Sequence, residues 1–115
     1  MPLKIIVTEA PPEAMLTLAG ELDIGAVTQL RSTVHQALLR QEKALLLDLT
    51  DVTFLDSAGL WELIFCHNLA DGVGGTLTVT GRSPAVERLL RILDRDWVTE
   101  ILWPELASGR PVEEC

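Results

Sequence analysis

The stretch ALLLDLTDVTFLDSAGLWELIF, residues 44–65, decides the fold. With Lys43 before it, KALLLDL is a continuous apolar run of strand length, as expected of a central strand covered on both faces. Phe54 and Leu55 read as a buried strand end. Asp56, Ser57, Ala58 and Gly59 then separate them from an almost unbroken apolar segment, predicted to be a helix from about Ser57 to Ala70. A strand feeding directly into a buried helix is one half of a βαβ unit.

The flanking segments complete the pattern. LKIIVT (3–8) and MLTLA (15–19) read as short strands, parted by EAPPEA, whose two prolines cannot sit inside a sheet. GELDIG follows as a connector. Ala26, Leu30, Val34, Ala37 and Leu38 then recur at three- and four-residue spacing, predicting an amphipathic helix over about Gly25 to Arg40. DGVGG stops the helix that begins at Ser57, and TLTVT (76–80) makes another strand. Ser83 is a natural N-cap with Pro84 at the first helical position, so SPAVERLLRIL is a third helix. A last short turn or strand is expected within 93–102. The predicted fold is α/β: one small domain over residues 1–104, with a mixed sheet of four to five strands flanked by three to five helices. Residues 105–115 form a polar C-terminal tail.

Composition narrows the function. The chain has 115 residues, 48% of them hydrophobic, and a formal net charge of −8. That charge argues against nucleic acid, whose phosphates need Lys and Arg, and against an anionic membrane surface. No run approaches the ~18 apolar residues that span a bilayer. MPLKIIVTEAPPEA carries one lysine and its apolar run stops at Thr8 and Glu9, unlike a signal peptide. The two cysteines, Cys66 and Cys115, offer no disulfide framework, so a reduced, cytoplasmic setting is expected.

Catalytic chemistry finds little support. DSAG is not the G-x-S-x-G elbow of a serine hydrolase, and the only histidines are His35 and His67. His67 lies ten residues beyond Ser57 on the same predicted helix, about 15 Å away, too far to serve as its base. Cys66 and His67 are adjacent and diverge on a helix, so they read as a core cysteine and a surface histidine; no metal site is expected. GVGG follows a helix and precedes a strand, the reverse of a phosphate-cradling loop. No catalytic residue, metal or cofactor is expected.

Ser57 remains. Its hydroxyl reads either as a helix N-cap or as an accessible acceptor for phosphorylation, since a phosphate at a helix N-terminus is tolerated by the helix dipole. At about 100° per residue, Ser57, Trp61, Ile64 and Asn68 share one side of the helix and form a candidate docking face. Gly59, Leu63, Cys66 and Ala70 gather on the opposite, core-facing side.

With these motifs in view, the chain resembles the STAS family, the sulfate transporter and anti-sigma factor antagonist domains. GELD (20–23), LDLTDVTFLDSAGL (47–60) and the GG-strand-SPAV run carry the resemblance, in order along nearly the whole chain. The match looks closest to the anti-sigma factor antagonists. The resemblance implies that Ser57 is phosphorylated by a partner anti-sigma factor serine kinase using ATP. It implies that the unphosphorylated form binds this kinase and so releases a sigma factor, and that a PP2C-type phosphatase restores it. By the same resemblance Asp56 and Gly59 shape the loop, and Asp23 lies at the same sheet end. The implied partner-binding set is Asp23, Asp56, Ser57, Ala58, Gly59, Leu60, Trp61, Ile64 and Asn68. Trp61 and Glu62 depart from the small or aliphatic residues often found there. Two other implied roles stay open: an accessory STAS subunit docking on the ATPase of a lipid-trafficking ABC transporter, and a scaffold module of another signalling complex.

Overall fold

The computed structural model describes residues 2–93 together with Val98, Ile101 and Leu102. Four strands form one mixed sheet in the order β1 (Lys4–Ala10), β2 (Glu13–Leu22), β3 (Ala44–Leu55), β4 (Thr76–Arg82). β1 and β2 are an antiparallel hairpin whose turn holds a cis Pro11–Pro12 bond, whereas β2–β3 and β3–β4 run parallel. A 3₁₀ turn, Ile24–Ala26, leads into α1 (Val27–Leu39). α2 (Ser57–Gly72) and α3 (Pro84–Leu93) follow β3 and β4. The expected mixed α/β domain is therefore the architecture found.

One face of the sheet is the core. Leu16, Leu18, Leu45, Leu47, Leu49, Leu77 and Val79 are fully buried there, joined by Leu30, Val34 and Ala37 of α1 and Leu60, Leu63, Cys66 and Ala70 of α2. Leucine and valine fill this interior in the near-absence of aromatics, each side chain contributing about 1.5–3 kcal/mol on burial. Ser83 caps α3 as expected: its Oγ accepts from the Val86 N–H at 3.3 Å.

Several expectations need correction. β3 is twelve residues long and runs without a break from Ala44 to Leu55, so the apolar run and the strand end are one element. It is not covered on both faces: Leu45, Leu47 and Leu49 are buried, while Ala44, Leu46 and Asp48 are only half-buried. Two register shifts against β2 then interrupt the alternation, so that Val52 and Leu55 face inward at a spacing of three rather than two. GEL belongs to β2 rather than to a connector. Of the expected turn or strand within 93–102, Leu93 closes α3, and Val98, Ile101 and Leu102 are helical, with Val98 and Leu102 in the core. The remainder of that segment and the tail at 105–115 lie outside the described residues.

Candidate functional site

The register decides which loops meet. Leu22 pairs with Leu55 at the ends of β2 and β3, so the residues that follow, Asp23 and Asp56, leave the sheet side by side. Gly59 lies directly beneath this junction. A Cβ there would collide with the Leu22 carbonyl oxygen and press on a Leu55 methyl carbon, so only glycine lets α2 approach β2 this closely. GELD and DSAG are one structural unit, held by a backbone-to-helix contact.

Within it, Asp56 and not Ser57 is the N-cap of α2. Its backbone is extended, and its Oδ1 accepts the Gly59 N–H at 2.8 Å. Ser57 is the first helical residue and its side chain is exposed. The hydroxyl left open between two roles is thus relieved of the cap by its neighbour. The physical reason is reach: the cap oxygen must come from the residue whose backbone has not yet turned helical, and that residue is Asp56.

Along α2 the solvent-facing strip is narrow. Ser57, Trp61, Phe65 and Asn68 are exposed, Trp61 by 52% and Phe65 by 43%. Ile64 is 7% exposed and Leu60 is 1% exposed, so both point into the core and neither can touch a partner from this face. That corrects two members of the expected set. α2 is buried over most of its circumference by the sheet and α1, and at 100° per residue Ile64 falls on the margin that the core claims. Phe65 takes its place on the strip. Asp23 and Asp56 are half-buried, Ala58 is half-buried and Gly59 is buried at the helix start. Ile24, highly exposed in the 3₁₀ turn, adds an apolar group beside Asp23.

Sequence reasoning missed what lies behind Phe65. Glu62, treated only as an unusual residue, is 4% exposed and receives a bidentate ion pair from Arg31 of α1, at 2.8 Å from Nε and 2.6 Å from a terminal nitrogen. The Glu62 hydrogen bonds raise the Arg31 guanidinium above its already high pKa. Arg31 Cζ stands 3.9 Å from the centroid of the Phe65 ring, a cation–π contact. The partners are 31 positions apart in the chain, so no local pattern announces them. Cys66 is fully buried and its Sγ lies 3.5 Å from Glu62 Oε2. Burial, followed by the Glu62 charge, pushes its thiol up to about 12. His67, expected on the surface, is half-buried; its Nδ1 lies 3.2 Å from the Leu77 carbonyl oxygen, which can only accept, so that nitrogen carries the proton. Among the described residues no three His, Cys, Asp or Glu side chains are grouped to hold a metal ion, and no helix is long and apolar enough to cross a membrane.

The described residues form a small α/β domain that exposes a serine at a helix start, at the head of a strip carrying Trp61 and Phe65. A family model described as "Mlab, STAS domain" matches residues 6–100, and the chain belongs to the STAS family. It is 31% identical over 77 residues to an anti-sigma F factor antagonist of Paenibacillus polymyxa, a match covering 66% of this chain and 66% of that protein. Two solved structures share the fold. An anti-sigma factor antagonist from Mycobacterium paratuberculosis superposes with a TM-score of 0.69 at 24% identity, covering 83% of this chain and 80% of its own. The Bacillus cell fate determinant SpoIIAA in its phosphorylated form gives 0.66 at 17% identity, covering 93% and 100%.

Proposed function

We propose that this protein is an anti-sigma factor antagonist whose docking to an anti-sigma factor serine kinase is switched by phosphorylation of Ser57. The observation that carries the reading is the division of labour at the start of α2. Asp56 holds the cap, and Ser57 is left exposed at the head of the strip formed by Trp61, Phe65 and Asn68. Similarity to the Paenibacillus polymyxa antagonist supports the same reading. The unmodified protein binds the kinase through this strip, with Asp23 and Ile24 at its edge, and so releases a sigma factor.

Phosphorylation adds about −1.5 to −2 charges at Ser57. The helix dipole accommodates that charge, so the fold persists, but a partner seated on Trp61 would have to bury an anion. A PP2C-type phosphatase reverses the change. The protein acts as substrate and binding module, with no catalytic group of its own.

The test is to incubate the full chain with an anti-sigma-type serine kinase of the same genome and ATP, then locate phosphate by mass spectrometry. Phosphate on Ser57, and weaker kinase binding by Ser57→Asp than by wild type, are the expected results. Absence of phosphate together with unchanged binding by Ser57→Asp refutes the switch. A second reading is an accessory subunit docked on a transporter ATPase. The Asp56 cap also favours it, because an unmodified Ser57 hydroxyl then meets the partner directly. Tight ATPase binding without phosphate is its signature.

A further inference from the structure

Beside the α2 strip lies a groove between α1 and α2, about 450 Å³, lined by Thr28, Arg31, Ser32, His35, Phe65 and Leu69. On α1 the lining residues recur at three- and four-residue spacing, and on α2 they are four apart, so the groove follows α1 for about two turns and α2 for about one. Phe65 belongs to the groove and to the exposed strip alike, which makes the two surfaces continuous.

The groove's charge runs against that of the molecule. The chain carries a net −8, yet the lining holds Arg31 and no carboxylate. The ion pair that fixes Arg31 is oriented: the Glu62 side chain is 4% exposed and that of Arg31 is 50% exposed, so the positive end of the pair faces the groove. The guanidinium is held rigidly over the Phe65 ring by the buried carboxylate, so little side-chain entropy is left to lose on contact. Arginine and aromatic rings are the residue types enriched at protein interfaces.

We propose that the α1–α2 groove is a second docking subsite that receives, from the protein docked at Ser57, a carboxylate side chain flanked by an apolar one. The carboxylate meets the outward face of Arg31, and the apolar side chain lies against Phe65 and Leu69. Glu62 is a positioning residue, acting through Arg31. This inference rests on the docking reading above, and it assigns part of partner choice to α1, away from the phosphorylatable serine.

Position 32 tests it by sign. Ser32 is exposed at the groove, so Ser32→Glu and Ser32→Lys both fold, which circular dichroism verifies. Kinase binding by the unphosphorylated full chain is measured calorimetrically for wild type and both variants. Ser32→Glu is expected to weaken binding about tenfold, and Ser32→Lys to leave it unchanged or tighter. Equal affinity for the two variants overturns the groove assignment while leaving docking at Ser57 intact. Failure of wild type to bind the kinase at all refutes the docking reading, and the groove assignment falls with it.

Discussion

Replacing Gly59 by alanine adds a single methyl group to α2, on the side where the helix meets the Leu22 carbonyl oxygen. Two opposing effects follow. Alanine in a helix is favoured over glycine by about 1 kcal/mol. Inserting a methyl into filled space costs about 1–3 kcal/mol, and the upper part of that range applies where the obstacle is backbone, which cannot rotate away. The nearest obstacles at Gly59 are the Leu22 carbonyl oxygen and, at 2.9 Å, Leu55 Cδ1. The net expectation is a loss of about 1–2 kcal/mol, or roughly 5–10 °C in Tm for a domain of this size. Gly72, at the other end of the same helix, supplies the control: nothing lies within 4 Å of a Cβ placed there. Gly72→Ala is expected to gain about 0.5–1 kcal/mol. Urea unfolding and thermal melts of both variants make the assay. If Gly59→Ala matches or exceeds wild type in stability, the close approach that joins GELD to DSAG is not what holds the site together.

Asp56→Ala should cost about 0.5–2 kcal/mol by removing the cap, and Asp56→Asn much less, both read by urea unfolding. Ile64→Ala should lose about 2–5 kcal/mol, as a core side chain does, whereas Trp61→Ala should change stability by less than about 0.5 kcal/mol yet weaken partner binding by about 2 kcal/mol. Cys66 should resist alkylation in the native protein at pH 8 and react on unfolding, because its thiol is buried and pushed up to about 12. The unfolded thiol ionises near 9.0 and the folded one near 12, so the unfolded state releases its proton first and stability falls as pH rises through that window. Cys66→Ala should flatten this alkaline loss in urea titrations taken from pH 8 to 11.

Much of the molecule was readable along the chain. Period-two and period-3.6 patterns, Ser83 before Pro84, and the glycines after α2 set the element order, since each depends on neighbours a few residues apart. Leu63, Cys66 and Ala70 were also legible as the buried side of α2. The limits appear where distant segments compete for space. Ile64 and Phe65 are adjacent apolar residues 100° apart on a helix wheel, and only the position of α1 and the sheet decides which is buried. Likewise, the inward turn of Val52 and Leu55 depends on register shifts between two strands, which no single-strand alternation contains.

The sequence by itself determined that a hydroxyl would stand at the start of a buried helix, at the end of a central strand, in an acidic protein. Tertiary structure decided the rest. It gave the cap to Asp56, set Phe65 in place of Ile64 on the exposed strip, and joined Arg31 to Glu62 across two helices. The reason is the range of the forces. Helix caps, turns and periodicity act over a few residues, whereas burial and ion pairing are settled only when segments far apart in the chain are brought into contact.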